Sequence, residues 1–270
     1  MTVGVFCTPD MVARAALCPA EVPAGPAEVV ARDYVELVLV RSGCFEYRDR
    51  RGRSFVDAAT CVMSGPLEVA EMRHPVPGGD TTTILLLAPE ILDSLGAGVD
   101  HVPLAAHVAP AVQVAHRRLL AAARRGDDVM TLQEVTLDIV AAVLTSAEPE
   151  RPAATHPATD RARRQLADDA RAVLAADPGV ASVVELAAEV SCSPHHLSRV
   201  FRQCTGTTLG AYRQHLRVNR ALELLADGAP DVTTLADVAA RCGFADHAHL
   251  TRSLRRFAGV TPAALRAEFA

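Results

Sequence analysis

Two segments near the C-terminus carry histidine, arginine, serine and threonine side chains at helical spacing, a combination suited to reading nucleic-acid bases. The segments match at a constant offset, in which Leu197 corresponds to Leu250 and Arg199 corresponds to Arg252. Arginine can bind the O6 and N7 atoms of guanine together, while threonine and neutral histidine donate or accept single hydrogen bonds. These residue types therefore predict non-covalent recognition of DNA.

The first of these segments reads as the second helix of a helix-turn-helix unit. Ser193 followed by Pro194 predicts a helix N-cap with proline at the first helical position. Apolar residues at positions i, i+3 and i+4 predict a face that points inward, formed by Leu197, Val200 and Phe201. The outward face then carries His195, Ser198, Arg199 and Arg202.

The second segment repeats this design. Gly243 supplies a tight turn, and Asp246 is the expected N-cap of the following helix. The inward positions are Leu250, Leu254 and Phe257, and the outward positions are His247, Thr251, Arg252 and Arg255. Two such units with arginines on their outer faces are suited to insertion into DNA major grooves.

A long helix is predicted between the two units. Residues 209–226 are strong helix formers, and at about 1.5 Å per residue they would span roughly 27 Å. Such a helix can hold two recognition helices about one DNA turn apart, near 34 Å. Arg213, Arg217 and Arg220 lie on it, and two roles stay open for them: ion pairing with solvation, or contact with phosphate.

These residues resemble the DNA-binding domain of the AraC/XylS family of bacterial transcription factors, which contains two helix-turn-helix units. The resemblance covers roughly residues 161–270 and includes LSRVF, LTR and the terminal G-x-T-P-x-x-x-R pattern that begins at Gly259. Leu254 and Leu265 depart from the family, which usually has aromatic residues there, but both remain apolar. The resemblance implies a sequence-specific, DNA-binding transcription regulator that is not an enzyme.

The resemblance also implies which residues contact DNA. The family's base-reading positions map onto His195, Ser198, Arg199, His247, His249, Thr251 and Arg252. The expected DNA-binding set also includes Pro194, His196, Arg202, Arg255 and Arg256. A metal role for the paired histidines is disfavoured, because no cysteine or carboxylate ligand accompanies them on these helices.

Composition excludes several other classes of protein. Seven cysteines are scattered through 270 residues without a C-x-x-C motif, which favours reduced thiols over disulfides or structural zinc. The sequence contains no nucleophile elbow, P-loop or dinucleotide-binding fingerprint, so we expect no cofactor. There is no run of membrane-spanning length and no basic segment before an apolar N-terminal stretch, which predicts a cytoplasmic protein without a membrane partner.

The charge is divided unevenly along the chain. Residues 161–270 contain 14 arginines against 11 acidic residues, whereas residues 1–160 contain 13 against 21, so the net charges are +3 and −8. The chain has no lysine, and every cationic side chain other than histidine is therefore a guanidinium. Because the C-terminal charge is small, phosphate affinity must come from the local placement of arginines.

The N-terminal part predicts a small β-structure. Short apolar or alternating segments separated by Gly and Pro follow from Tyr34 onward, at residues 34–41, 44–48, 54–63, 67–71 and 81–87. Before them, only a short helix around residues 11–17 is expected. The family resemblance, weaker here and carried by residues 73–86, implies a cupin-like β-barrel that senses a small-molecule effector. Val35, Leu37 and Leu39 share one strand face, which either lines a ligand cavity or fills the core.

His74, Glu68 and Glu71 are candidate metal ligands in this part. A cupin enzyme usually needs an H-x-H pair, a nearby carboxylate and a distant histidine, and the sequence lacks that set. We therefore expect neither a metal nor catalytic residues. An enzymatic barrel remains the disfavoured alternative.

Helices are predicted after the strands, at residues 89–95, 109–125 and 131–147. Leu132, Val135, Ile139 and Val143 form an apolar stripe that either packs on the barrel or forms a homodimer interface. The Pro-rich residues 149–160 read as a linker between an N-terminal sensor or dimerisation domain, residues 1–148, and the DNA-binding domain, residues 161–270. The expected fold class is α+β, and the expected partners are double-stranded DNA, a second copy of the chain, an effector and RNA polymerase. A regulator whose barrel serves only dimerisation or protein interaction remains open.

Overall fold

The N-terminal half is rich in β-sheet and the C-terminal half is helical, which confirms the predicted α+β class. The computed structural model describes residues 2–19, 27–30, 33–99, 102–146, 157–179, 182–227 and 234–269. Within these ranges, no helix is long and apolar enough to cross a membrane.

Ten strands form two sheets within the described ranges. The strands are β1 Thr2–Cys7, β2 Met11–Cys18, β3 Ala27–Val30, β4 Val35–Gly43, β5 Phe45–Asp49, β6 Gly52–Val56, β7 Thr60–Ser64, β8 Val69–Arg73, β9 Asp80–Leu87 and β10 Ala105–His107. A six-stranded sheet has the order β1-β2-β9-β4-β7-β10, and a four-stranded sheet has the order β3-β8-β5-β6. Every strand pair is antiparallel. No strand pairing among the described residues joins the two sheets into a closed barrel.

The space between the two sheets is filled by apolar side chains. Val40 and Val62 of the larger sheet pack with residues of the smaller sheet, namely Phe45, Tyr47, Val56 and Ala70. Each of these six residues is buried. The sheets therefore form a sandwich with a packed interior.

Three helices cover the other face of the six-stranded sheet: α1 Pro89–Ser94, α2 Pro110–Arg125 and α3 Val129–Thr145. Val35, Leu37 and Leu39 point to this helical layer and are fully buried against it. They therefore do not line the space between the sheets. In the predicted stripe on α3, Leu132, Ile139 and Val143 are buried in the same core and Val135 packs against it, so this stripe is not a dimer surface.

The predicted helix around residues 11–17 is wrong. This segment is the strand β2, and it pairs with β9 along its whole length, from Met11 opposite Leu87 to Cys18 opposite Asp80. An alanine-rich segment favours a helix locally, but pairing with a central strand outweighs that preference. The single strand predicted at residues 54–63 is also two strands, β6 and β7, because a turn separates them at residues 57–59.

The described part of the C-terminal half contains seven helices: α4 Pro157–Ala176, α5 Val183–Glu189, α6 Pro194–Thr205, α7 Leu209–Asp227, α8 Leu235–Arg241, α9 His247–Ala258 and α10 Pro262–Phe269. Residues 157–160 of the predicted linker belong to α4, and residues 147–156 lie outside the described ranges. The boundaries 1–148, 149–160 and 161–270 stay a prediction.

Helix α7 takes part in both C-terminal cores. Its first half contributes Leu209, Tyr212 and Leu216 to a core with α4, α5 and α6. Its second half contributes Val218, Ala221, Leu222 and Leu225 to a core with α8, α9 and α10. Each core also contains residues of the N-terminal half, Ala58 and Ala59 in the first and Val114 in the second. The two helix-turn-helix units are thus joined through one helix that also packs on the N-terminal half.

Candidate nucleic-acid interface

The first recognition helix, α6, begins as its sequence predicts. The Ser193 side chain accepts a hydrogen bond from the His196 backbone N–H, and Pro194 occupies the first turn. Gly206 ends the helix with φ near 74°, in the left-handed region that glycine adopts without strain. Leu197, Val200 and Phe201 are fully buried, as predicted from their spacing. The direction of the outer face is therefore fixed by the core beneath it.

The outer face of α6 carries the predicted polar residues. His195, His196, Ser198, Arg199 and Arg202 are exposed, and Pro194 is half-buried. An Arg199 guanidinium nitrogen lies 3.4 Å from the His196 Nδ1 atom. An open groove between α6, the start of α5 and the start of α7 is lined by His195, Ser198, Arg199, Arg202 and Thr208 among others. The polar side chains that line this groove can therefore donate hydrogen bonds to DNA.

The second recognition helix, α9, begins at an Asp246 cap. The Asp246 carboxylate accepts a hydrogen bond of 2.6 Å from the His249 backbone N–H. That bond, together with the nearby Arg252, lowers the pKa of the Asp246 carboxyl, so the cap is ionised at neutral pH. Leu250 and Leu254 are fully buried, and Phe257 packs against their core while remaining partly exposed.

The outer face of α9 divides into exposed and restrained residues. His247, Arg252, Arg255 and Arg256 are exposed, while Thr251 and His249 are half-buried. The His249 ring packs edge-on against Phe244, with ring centroids 5.3 Å apart, and its Nδ1 atom accepts a 3.4 Å hydrogen bond from the Ala245 backbone. These contacts orient the ring toward the turn, so His249 has less freedom to contact a base than His247 has.

The arginines of the two outer faces share one electrostatic property. These arginines are Arg199, Arg202, Arg252, Arg255 and Arg256. None of the five forms an ion pair with a carboxylate in the part of the chain that the structure describes. Arg256 also lies over the Phe257 ring, 5.5 Å from its centroid. Guanidinium groups that are not held in an ion pair are available for phosphate or guanine.

The arginines of α7 have different surroundings. Arg217 is half-buried, and its Nε atom donates a 2.8 Å hydrogen bond to the Pro178 carbonyl after α4. Gly243, in the turn between α8 and α9, has φ near 73°, in the left-handed region that favours glycine. The Arg217 guanidinium lies about 3 Å from where a side chain at Gly243 would begin. Arg217 therefore ties three elements together. Arg220 is exposed and keeps both of the predicted roles open.

A buried polar network joins the N-terminal half to α7, and sequence reasoning missed it. Arg117 of α2, which is fully buried, forms a 2.8 Å ion pair with Glu223 and donates a 3.1 Å hydrogen bond to the Asn219 side chain. Arg41 of β4 forms a 2.7 Å ion pair with the same glutamate. Two arginines and one carboxylate thus connect β4 and α2 to the helix that carries both units.

A second polar cluster joins the β6–β7 turn to the first unit. The buried Tyr212 hydroxyl donates a hydrogen bond to the Asp57 carboxylate and accepts one of 2.8 Å from Arg171 of α4. Arg171 lies 3.4 Å from the Asp57 carboxylate and stacks over Phe55, 4.6 Å from the ring centroid. Burial raises the pKa of the Tyr212 hydroxyl, which therefore remains a proton donor. No local pattern in the sequence pairs residues so far apart.

The metal ligands considered from sequence do not come together. Glu68 forms ion pairs with Arg50 and Arg51, at 3.0 Å each, and Glu71 is exposed on β8. His74 instead contacts Asp80 and lies near Cys18. Among the described residues this trio is the one group of three or more side chains that could hold a metal ion.

Comparisons with known proteins agree with the C-terminal architecture. A family model described as a helix-turn-helix domain matches residues 186–268. The chain is 36% identical over 86 residues to the transcriptional activator RhaR of Pectobacterium atrosepticum, covering 30% of this chain and 29% of that protein. It is 34% identical over 92 residues to the transcriptional regulator Rv1931c of Mycobacterium tuberculosis, covering 34% of each.

A solved AraC-type regulator structure from Chromobacterium violaceum is 27% identical, with a TM-score of 0.37, over 41% of this chain and 96% of that one. The matches to the two relatives span about a third of those proteins or less. The chain therefore shares only part of the length of these two relatives.

Proposed function

Because this chain carries a helix-turn-helix domain of the AraC/XylS family at residues 186–268, we propose that the protein is a transcription regulator that binds specific double-stranded DNA. One observation carries the proposal: two capped recognition helices in one chain present exposed arginines that contact no described carboxylate. Each helix enters one major groove of the operator.

Base reading and phosphate contact are assigned to different residues. Arg199 and Arg252 occupy equivalent places on α6 and α9, and each binds a guanine through two hydrogen bonds. His195, Ser198, His247 and Thr251 supply single hydrogen bonds to neighbouring bases. Arg202, Arg255 and Arg256, nearer the helix ends, contact the phosphate backbone and set the register. Pro194, His196 and His249 shape the two helix starts beside the DNA.

The geometry of α7 supports simultaneous binding in two grooves. Its two halves lie in the cores of the two units, and Arg217 links it to the segment after α4. A rigid connection means that the first contact positions the second, which raises the effective concentration of the second helix. The operator is expected to contain two sequence elements about one helical turn, or roughly 10 bp, apart.

Selection of bound fragments from a random duplex library by the full chain tests this proposal. The expected product is a motif of two elements with guanine in each, and binding that weakens steeply with salt because phosphates are neutralised. An Arg48→Ala variant, altered on the exposed face of the smaller sheet, is the matched control and should select the same motif. Recovery of no motif, or equal affinity for all duplexes, would contradict sequence-specific regulation.

The N-terminal half is proposed to control DNA binding. The support is its contact with α4 and α7 through the Arg117–Glu223 and Asp57–Tyr212 groups, which connect it to both helix-turn-helix units. These contacts can then adopt two arrangements, and a small-molecule effector binds one of them more tightly than the other. The ratio of the effector's two affinities sets the largest change that it can cause in operator affinity. The alternative is a domain that only dimerises or binds another protein, such as RNA polymerase. Light scattering of the full chain with and without operator tests the homodimer.

A further inference from the structure

Three side chains with metal-ligating atoms converge at one end of the six-stranded sheet. The ligand atoms of Cys18, His74 and Asp80 all lie within 4.8 Å of one another. His74 and Asp80 are 3% and 5% exposed, so this is not a surface cluster of acids. Cys18 is half-buried, which leaves the cluster a route to solvent.

Strand register brings the three residues together. Cys18 at the end of β2 lies opposite Asp80 at the start of β9, and Gly43 of β4 lies opposite Asp80 on the other side. His74 directly follows β8, and residues 75–79 turn the chain back from it to Asp80. The cluster therefore contains one residue from the end of β2, one from the start of β9 and one from the connection between β8 and β9.

The turn at residues 75–79 is tightly constrained. It contains two prolines and two glycines, and Gly78 and Gly79 have φ values of 106° and 64°. A side chain at Gly43 would collide with the Gly79 carbonyl, so the strand passes closely beneath the turn. A turn held in this way keeps the His74 and Asp80 side chains facing each other, which lowers the entropy lost when a ligand binds.

We propose that Cys18, His74 and Asp80 bind a divalent transition-metal ion of the Zn²⁺ class. A thiolate, an imidazole and a carboxylate are all ligands of Zn²⁺, whereas Mg²⁺ and Ca²⁺ prefer sets made of oxygen atoms. Binding replaces the hydrogen bond between the His74 Nε2 atom and the Asp80 carboxylate. The imidazole then coordinates through Nε2 as the neutral tautomer with its hydrogen on Nδ1, and the thiol proton of Cys18 is released to solvent. Three protein ligands leave the fourth position of a tetrahedral ion for water or another small ligand.

The cluster lies next to a contact with the DNA-binding half. Val76 of the constrained turn packs with Cys44, Phe55 and the α4 residues Ala172 and Ala175. The His74 ring also lies near Phe45, with centroids 6.4 Å apart. An ion bound at both ends of the turn therefore restricts the motion of the turn, and α4 packs against that turn. The ion would in this way act as an effector of DNA binding, and this effector role rests on the proposed function.

Cobalt(II) titration of the full chain, reduced and freed of metal, tests the site without DNA. The expected result is one ion per chain, with a thiolate-to-cobalt charge-transfer band and tetrahedral ligand-field absorption that Zn²⁺ abolishes by displacement. Cys18→Ser should remove the charge-transfer band and weaken binding by more than about 100-fold, beyond the usual loss for an outer-shell change. Asp80→Asn, which keeps the shape and can still accept from His74, should weaken binding while the band remains.

Cys7→Ser is the matched control, because Cys7 is an exposed thiol on the neighbouring strand β1. It should leave the band and the stoichiometry unchanged, and circular dichroism should show that each variant is folded. A wild-type chain without the band, or a band that survives Cys18→Ser or disappears with Cys7→Ser, would overturn the site.

The effector step is tested separately, by operator affinity with and without Zn²⁺. A change in wild type that Cys18→Ser abolishes supports that step. An unchanged affinity refutes the step and leaves the site standing. A wild-type chain that binds no operator either with or without Zn²⁺ would instead count against the proposed function.

Discussion

Arg117 of α2 and Glu223 of α7 form an ion pair whose Nε and Oε2 atoms are 2.8 Å apart. The arginine is fully buried, and the glutamate is 9% exposed. A guanidinium in such a place is stable only while its carboxylate partner and hydrogen bonds remain. The pair therefore makes the position of α7 depend on the N-terminal half of the chain.

Removing one member of this pair should destabilise the whole protein. Arg117→Met keeps an apolar stem but removes one of the two arginines that pair with Glu223, the other being Arg41. We expect a loss of about 3 kcal/mol in the free energy of unfolding. Urea denaturation of the full chain measures it. The adjacent Arg118→Ala is the control, because that arginine pairs with Glu268 at the exposed surface and its loss should cost about 0–1 kcal/mol. Equal effects of the two variants would mean that the buried pair does not stabilise the interface.

The recognition helices are the part of the molecule that could be predicted best. Ser193, Pro194 and Asp246 act within one turn of the residues they cap, so their roles are encoded locally. The outward positions follow from the apolar spacing of α6 and α9 for the same reason. His249 shows the limit of this reasoning, because its contact with Phe244 depends on a turn geometry that helical spacing does not describe.

Features that depend on distant residues could not be predicted. The local sequence predicts a helix where β2 forms, because the pairing of β2 with β9 joins segments about 70 residues apart and short-range propensity carries no sign of it. The Arg117–Glu223 pair is non-local in the same way, and so is the pairing that brings Cys18 to His74 and Asp80, which themselves flank one turn. Ligands on one element or one loop show a characteristic spacing in the sequence. Ligands that strand pairing brings together do not.

Base reading by the two equivalent arginines gives a prediction about specificity. Arg199→Ala or Arg252→Ala should each lose about 1–3 kcal/mol of operator binding and relax the preference at one position, because the paired hydrogen bonds to guanine are lost. Competition binding against duplexes substituted at single positions measures this. Arg202→Ala should instead weaken binding to all duplexes alike and reduce the salt dependence. If Arg199→Ala or Arg252→Ala weakens random DNA to the same extent as operator, the residue contacts phosphate.

The core of the second unit gives a prediction about the length of the DNA contact. Phe244 is 4% exposed and packs in one cluster with Leu222 and Leu225 of α7, as the sequence predicted. Phe244→Ala should cost about 3–5 kcal/mol of stability, because it leaves a cavity under α9. Footprinting should then show protection shortened to about one helical turn, at the element bound by α6.

Phe201→Ala is the matched variant in the first unit, where Phe201 is fully buried and packs edge-on against Tyr212. It should preserve protection at the other element instead. A full-length footprint and an unchanged melting temperature for Phe244→Ala would show that the second unit does not rely on this packing.

The contact between His107 of β10 and His215 of α7 predicts a loss of stability in acid. Their rings lie edge to face with centroids 5.5 Å apart, and His215 is buried. Burial, and second the proximity of His107, lower the pKa of His215 from 6.5 to about 4. In the unfolded chain the pKa is about 6.5, so between those two values the unfolded state binds a proton that the folded state does not. The contribution of His215 to stability is therefore present above about pH 6.5 and is lost as the pH falls toward about 4.

Replacing His215 should remove this part of the pH dependence. Between pH 7 and pH 5 the free energy of unfolding of wild type should fall by about 2 kcal/mol more than that of His215→Gln, because glutamine takes up no proton in either state. Urea denaturation of both full chains at the two pH values measures the difference, and comparison with wild type cancels the titration of the remaining groups. His247→Gln, altered at an exposed histidine of α9, is the control and should follow wild type. A His215→Gln chain as acid-sensitive as wild type would show that His215 is protonated in the folded protein.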